Sequence, residues 1–321
     1  MNNPHKPAVK TKSAVKTWST PVPDALFGTG RGTESGDAAG GIDQKGALNP
    51  CVLCGGRVFR PALRCEGFSY VRCRDCGLVQ MNPQPEAASV QERYGSAHGD
   101  DYLAYETANE AAFLALQLKT LEDAGIGRIE EQFFPSERKR FLDVGCATGA
   151  LLEKMRERGW EVSGVEISAQ MAAYGRKNRG LPVSTLPLEE NGFAENSFDV
   201  IHASHLIEHL SNPAAFVREA YRLLGVGGLF LVTTPNIAGM QAKLFKGRWR
   251  SAIYDHLCLF SVKTLAAFLR REGFAVEQIV TWGGLAQGLA PAPVKRIADR
   301  LAKKTGLGDV MMLKAVKADG E

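Results

Sequence analysis

The stretch FLDVGCATGALL, Phe141 to Leu152, followed by VSGVEIS at Val162 to Ser168, decides the fold. An apolar run stops at a turn containing Gly145 and Gly149, and a helix-forming segment with Leu151, Leu152, Met155 and Arg156 follows. Glycines at such a turn let the backbone approach a ligand with no Cβ in the way, and the amides of a helix start favour polar or anionic groups. Roughly twenty residues on, Glu166 closes the second strand, where a carboxylate accepts both hydroxyls of a ribose. Together these features describe a pocket for an adenosine-type cofactor. The same residues also suit an ordinary βα turn with an incidental acid.

Glycine spacing narrows the choice. A dinucleotide fingerprint, G-x-G-x-x-G, seats a pyrophosphate, whereas Gly145 to Gly149 reads G-x-x-x-G with Ala147 between them. Downstream, NSFDVIHASHLIEHLSNP (Asn196 to Pro213) predicts a buried strand at Phe198 to Ala203 running into a polar cluster with His205, Glu208 and His209. Pro213 then opens a helical pattern, Phe216, Val217, Ala220, Tyr221, Leu223 and Leu224, that stops at Gly225, and GVGGLFLVTTPN gives another apolar strand. Strand, helix, glycine turn and strand imply a parallel crossover.

On these residues the chain resembles the class I S-adenosylmethionine-dependent methyltransferases. Their first motif is D-x-G-x-x-x-G, matched by Asp143, Gly145 and Gly149, and their second ends in an acid, matched by Glu166. The strings FDVI, EHL, GGLFL and TPN look like those of small-molecule and sugar methyltransferases, and the likeness covers Arg140 to Glu277. The resemblance implies an α/β fold with a Rossmann-like seven-stranded sheet in the order 3-2-1-4-5-7-6. Ala275 to Trp282 and Val310 to Val316 would be strands six and seven, the last inserted antiparallel between five and six. It also implies that S-adenosylmethionine contacts Asp143, Gly145, Cys146, Ala147, Gly149 and Glu166. Ile167, Ser168, Leu188, Ser204, His205 and Tyr102 complete the expected cofactor set.

Size and composition set outer limits. The 321 residues are 45% hydrophobic and 23% charged, as in a globular protein of one large or two modest domains. No apolar run approaches the roughly 20 residues that span a bilayer, and no secretory signal is seen, so a cytoplasmic location is the expectation. The net charge of +4 is too mild to demand nucleic acid as a partner. Residues 1–49, rich in small and polar types, read as a disordered tail or a docking arm for an acidic partner. Residues 50–85 read as a metal-binding module, 86–135 as a helical cap or linker, and 136–321 as the methyltransferase domain.

Cys51, Cys54, Cys73 and Cys76 form two C-x-x-C pairs separated by 18 residues, the spacing of a four-thiolate zinc ribbon. Gly55, Gly56 and Gly77 follow the pairs and turn backbone amides toward the sulfurs. A closed site of this kind holds structural Zn2+; two disulfides are the alternative. Such hairpins are too small for a core of their own, so metal supplies much of their folding energy. Next, Glu92 to Leu121 reads as mostly helical, with Tyr94, Tyr102 and Tyr105 interspersed, a segment able to cap the cofactor pocket. The resemblance implies that Tyr102 and Tyr105 reach the cofactor; core or interdomain packing is the other reading.

Methyl transfer needs a nucleophile held in line and, for a hydroxyl or carbon acid, a base. The long connection Thr233 to Ser261 lies where open α/β sheets place their ligands. It ends in Tyr254-Asp255-His256 before a helix capped by Ser261. This string resembles a segment of deoxysugar methyltransferases with an amino-terminal zinc module. The resemblance implies that His256 is the base, that Asp255 orients it and that Tyr254 contacts substrate; a buried structural histidine is the other reading. In the same connection Lys243, Lys246, Arg248 and Arg250, with Phe245 and Trp249, suit recognition of a nucleotide-sugar diphosphate or a solvated loop. Pro293 to Thr305 reads as a basic helix fitted to substrate, a membrane surface, a partner or plain solvation. The acceptor expected is a hydroxyl or carbon of a sugar, nucleotide sugar or glycan. The rivals are a zinc-ribbon RNA methyltransferase and a non-catalytic cofactor-binding protein that recruits a partner.

Overall fold

Phe141 and Leu142 point to opposite faces of β4 (Lys139–Val144), and each belongs to a different half of the core. The alternation is that of a strand buried on both sides, as in a sheet flanked by helices. The computed structural model describes residues 48–85, 99–131, 138–284 and 291–318. Nearly all of the tail expected at residues 1–49, and Tyr94 with the start of the expected cap helix, lie outside the described residues.

Around β4 are β5 (Trp160–Val165), β6 (Val183–Ser184), β7 (Phe198–Ser204), β8 (Leu224–Pro235), β10 (Phe274–Trp282) and β11 (Val310–Lys317). They form a mixed seven-stranded sheet in the order β10-β11-β8-β7-β4-β5-β6. β7, β4, β5 and β6 run parallel with β8, while β11 lies antiparallel between β8 and β10. The order reverses between β4 and β7, and the carboxyl ends flanking that reversal are where such sheets bind ligands. Register places Asp143 opposite both Gly164 and His202, so three chemically distinct positions share one row of the sheet.

Helices cover both faces. On one, α1 (Gly99–Asp123), α2 (Ile126–Glu130), α3 (Ala150–Glu157) and α4 (Ala169–Arg179) bring Leu121, Ile126, Leu151, Leu152, Met155 and Ala172 against Phe141. On the other, α5 (Pro213–Leu223) buries Phe216, Val217, Ala220 and Leu223, the spacing that the sequence pattern announced. Asn212 caps α5 by accepting from the Ala215 amide, with proline at the first helical position. α7 (Val262–Arg271) buries Leu265, Ala266, Phe268 and Leu269, and the Ser261 side chain accepts from the Thr264 amide as its cap. Each fully buried aliphatic or aromatic side chain contributes about 1.5–3 kcal/mol of transfer free energy before entropy is subtracted.

The cysteine-rich region does not stand apart. β1 (Phe59–Arg64), β2 (Ser69–Cys73) and β3 (Val79–Met81) form an antiparallel sheet completed by β9 (Cys258–Leu259), from the far side of the chain. Cys51, Leu53, Cys73 and Leu78 share one core cluster with α5 and α7. Beyond whatever a metal contributes, the region's apolar side chains are buried against the methyltransferase sheet and helices rather than in a core of its own. Between β8 and β9, α6 (Met240–Phe245) and a short turn at Lys246–Arg248 lead the chain back past β1, where a Cβ at Gly247 would overlap the Arg64 carbonyl.

Candidate active site

The glycine turn joins β4 to α3. Gly145 and Gly149 adopt positive φ, and so does Ala147 between them, which bends the chain back on itself. This bend aims the Ala147 amide at Glu166, whose Oε2 accepts it at 3.0 Å while Oε1 accepts the Ser168 amide at 2.8 Å. The carboxylate is thus held against the turn rather than away from it. Burial pushes its pKa up, and the two amides pull it back. Beside it Ile167 presents an apolar side chain that is 46% exposed, while Ser168 is buried and starts α4.

Asp143, at the end of β4, is buried, and its Oδ1 lies 2.7 Å from Nδ1 of His202 on β7. Its Oδ2 is buried without a hydrogen-bond partner. An unsatisfied carboxylate oxygen at this depth is costly unless a donor reaches it, and it sits next to the turn where a ligand would lie. α1 closes over the same turn. Glu110 accepts from Thr148 Oγ1 at 2.9 Å and from Arg179 at 2.6 Å, and Arg179 also donates to the Thr148 carbonyl. One turn back on α1, Glu106 is pushed up to about 7 by burial and by the carboxylates of Glu166 and Glu110.

A second cluster gathers at the carboxyl end of β7. Glu208 is fully buried, with Oε2 accepting from Thr234 Oγ1 at 2.9 Å and Oε1 3.2 Å from Nδ1 of His205. His209 Nδ1 donates to the Asp255 carbonyl at 3.0 Å, and His256 Nδ1 donates to the Ser251 carbonyl at 2.8 Å. These bonds fix both tautomers with the lone pair on Nε2. The two rings meet edge to face at 4.7 Å, and Glu208, His209 and His256 bring one donor atom each within 4.8 Å of one another, a set able to hold a divalent cation. Burial pushes the Glu208 carboxyl up, but His205, His209 and His256 together hold it down at about 2. Burial and His209 lower His256 to about 3.

The cysteines form the third cluster. The Sγ atoms of Cys51, Cys54, Cys73 and Cys76 lie within 4.8 Å of one another, with 3.4 Å between Cys51 and Cys76 and 3.6 Å between Cys54 and Cys73. No disulfide joins any two of them, and all four sulfurs converge on one point, as a shared ion would require. The spacings approach the S···S edge of about 3.8 Å that a tetrahedron with metal–sulfur bonds near about 2.3 Å would have. The two thiols of the Cys51–Cys76 contact are coupled, Cys51 being drawn down toward the thiolate while Cys76 is pushed up.

Residues 119–279 match the sequence model of a family described as a methyltransferase domain, half of the chain. The chain belongs to this methyltransferase family. Among curated relatives, the ubiquinone biosynthesis O-methyltransferase of Caulobacter sp. (strain K31) is 36% identical over 32% of this chain and 43% of its own length. The enzyme of the same description from Pseudomonas aeruginosa (strain LESB58) is 32% identical over 44% of this chain and 67% of its own. The chain thus spans less than half of the first relative. A solved S-adenosylmethionine-dependent methyltransferase from Thermotoga maritima, described as a possible histamine N-methyltransferase, is 20% identical with a TM-score of 0.49, covering 68% of this chain and 97% of its own. The larger sheet and its helices form a methyltransferase domain, and the chain also carries a cysteine cluster fit to chelate a metal. No helix among the described residues is long and apolar enough to cross a membrane.

Of the cofactor residues expected in this methyltransferase, Asp143, Gly145, Cys146, Ala147, Gly149, Glu166, Ile167 and Ser168 gather at the two strand ends and the turn. Ser204 and His205 end β7 beside them, where a Cβ on Gly145 would meet the Leu206 side chain. Leu188 is buried in the core, so its side chain is a packing residue. Tyr102 lies on α1, 39% exposed. The expected trio separates: Tyr254 packs edge to face on Phe68, Asp255 offers its carbonyl to His209, and only His256 faces the Glu208 cluster. Burial and His209 hold the His256 imidazole down at about 3, which weakens it as a proton acceptor at neutral pH and favours the structural of the two readings. In the basic aromatic segment, Trp249 is buried and donates to Asp309 Oδ1 at 2.6 Å and Arg250 pairs with Oδ2, while Lys243, Lys246 and Arg248 are exposed. Sequence reasoning missed Thr148, Arg179, Glu106 and Glu110. No local spacing links α1 to the glycine turn, although Glu106 and Glu110 share a face at i, i+4.

Proposed function

We propose that this methyltransferase transfers a methyl group to a hydroxyl of a small molecule, with His205 as the base and Glu208 as the residue that positions it. The observation that carries the reading is the buried, ionised Glu208 carboxylate beside a partly exposed histidine at the carboxyl end of β7, across from the Glu166 turn. S-adenosylmethionine, when bound, supplies a methyl carbon on a positively charged sulfur that departs as a neutral thioether.

Glu166 would hold the cofactor's ribose hydroxyls, and the unpaired Asp143 Oδ2 its cationic amine. α1 excludes water from the turn through the Glu110, Thr148 and Arg179 contacts. Glu208 Oε1, 3.2 Å from Nδ1 of His205, would draw the imidazole proton to that side, so that Nε2 takes the acceptor's proton as the oxygen becomes a nucleophile. His209 and His256 tie the acceptor connection to this dyad and keep the carboxylate charged. The four cysteines would hold zinc as a structural ion, since four thiolates leave no position for water.

The curated relatives act in ubiquinone biosynthesis, which favours a phenolic or quinol hydroxyl over the sugar or nucleotide-sugar hydroxyl expected from sequence strings. The test is methyl incorporation from labelled S-adenosylmethionine into dihydroxyphenols, nucleotide sugars and total RNA in parallel. His205→Ala should lower kcat about a hundredfold or more on the phenol, with cofactor Kd unchanged. Full turnover by that variant removes His205 from the mechanism, and labelling of RNA alone removes the small-molecule reading.

A further inference from the structure

α8 (Ala292–Thr305), which joins β10 to β11, is packed with its small side chains inward. Among its described residues only Ala302 is buried, with Lys295, Ala298 and Asp299 half-buried. Thr281 Oγ1 of β10 donates to the Ala302 carbonyl at 2.8 Å, and a Cβ on Gly284 would lie 2.5 Å from the Ala298 carbonyl, so the helix sits close on its support through alanines. Its large aliphatics face the other way. Val294, Ile297 and Leu301 form one stripe and are 49%, 57% and 56% exposed, the reverse of the usual arrangement of an amphipathic surface helix.

Beside that stripe runs a second one, Arg296, Arg300 and Lys304, all exposed. The only acid of the helix, Asp299, is turned aside: Oδ1 accepts the Gly284 amide at 2.8 Å and Oδ2 takes Lys295 at 2.7 Å. Lys303 is engaged by Asp123 of α1. The outward face therefore carries aliphatic side chains and unbalanced positive charge, around a shallow depression of about 380 Å³ lined by Ile297, Arg300, Leu301, Lys303 and Lys304.

We propose that α8 is an interfacial helix that seats the protein on an anionic lipid surface, aliphatics in the acyl boundary and guanidinium and ammonium groups among the phosphates. A planar surface of one charge accepts a convex helix whose neighbouring stripes are apolar and cationic. A second copy fits worse, because a two-fold contact through this face would oppose its own cations. Nucleic acid fits worse as well, since the helix has no aromatic to stack on a base and the aliphatic stripe would gain nothing from phosphates. The loop closing α8 is stitched to the acceptor connection, Asn236 donating to the Gly306 and Gly308 carbonyls and the Met240 amide to Leu307, so a seated helix is mechanically joined to the active-site side of the sheet.

The experiment is co-sedimentation of the full chain with vesicles of pure phosphatidylcholine and with vesicles containing roughly one third phosphatidylglycerol. Binding to the anionic vesicles alone, weakened by salt, is expected. The double variant Ile297→Ser/Leu301→Ser should weaken that binding about tenfold or more, and Arg296→Glu/Arg300→Glu should do the same. Cofactor binding by calorimetry stays unchanged in both, which shows that they fold. No binding of the unaltered chain to anionic vesicles overturns the proposal. So does binding that the serine variant leaves intact, which would assign it to the lysines of the leading segment, or a dimer in sedimentation that the serine variant dissociates without any vesicle binding.

Discussion

Glu166 does two jobs at once, because the oxygens that would face a ribose are the ones that tie down the Ala147 and Ser168 amides. Glu166→Ala should therefore lower S-adenosylmethionine affinity at least tenfold by calorimetry and also cost about 1–3 kcal/mol of stability, since two amides lose their acceptor. Unchanged affinity would dissociate this acid from the cofactor. His256 sets a pH dependence with the opposite origin. Its folded pKa of about 3 lies below the ordinary 6.5, so between these values the unfolded chain binds a proton that the folded chain refuses. Stability should rise with pH through that window, and a drop from pH 6.5 to pH 5 should remove about 2 kcal/mol. Glu208, lowered from 4.5 to about 2, adds a loss of the same sign further into acid. Urea midpoints at the two pH values check this, and His256→Gln should flatten the upper part of the profile.

α1 behaves oppositely. Glu106, raised to about 7, keeps its proton in the folded state between pH 4.5 and 7 while the unfolded chain has lost it, so the docking of this helix weakens as pH rises. Glu106→Gln should tighten α1 at pH 8 by on the order of 1 kcal/mol, read as slower amide exchange along α1 with no gain at pH 5; equal exchange in both proteins at pH 8 would count against it. At this scale the sequence shows its reach and its limit. Asp143, Gly145, Gly149 and Glu166 were legible because one turn and one strand end fix them locally. α5 was legible from its opening proline and its apolar period, the start of α7 from its Ser261 cap, and α8 as a basic segment that begins one residue late. The Glu208 and His256 partnership joins residues far apart in the chain, and β9 is two residues long, too short to show a period. Trp249 and Arg250 read as a recognition segment because nothing nearby announces Asp309, the buried acid that claims both. α8 was read only as a basic helix, and which of its faces packs depends on Gly284 and Thr281, outside the helix.

Across the whole molecule, the cysteine cluster and the histidine cluster are linked by a continuous set of bonds. Cys73 ends β2, β2 pairs with β3, β3 pairs with β9, and β9 begins two residues after His256. Tyr70 of β2 places its hydroxyl 2.7 Å from the Ile253 carbonyl and 2.8 Å from that of His256, and the Met81 amide donates to Leu257. The segment carrying His256 is therefore held from outside the methyltransferase sheet, by strands that also carry the cysteine cluster. Because Cys51, Leu53, Cys73 and Leu78 are buried against α5 and α7, stripping the metal should loosen this sheet without releasing it. The expected outcome is uneven. After chelation, or in Cys54→Ser, calorimetry should find S-adenosylmethionine affinity within about twofold of the native value, since the Glu166 turn shares no strand with the small sheet. Acceptor KM should rise and kcat fall about tenfold or more, because Glu208 would lose His256 and the connection that holds it. Metal removal that abolishes cofactor binding as well would mean that the cluster supports the entire domain, and removal that leaves acceptor kinetics untouched would mean that the strands need no metal to hold His256 in place.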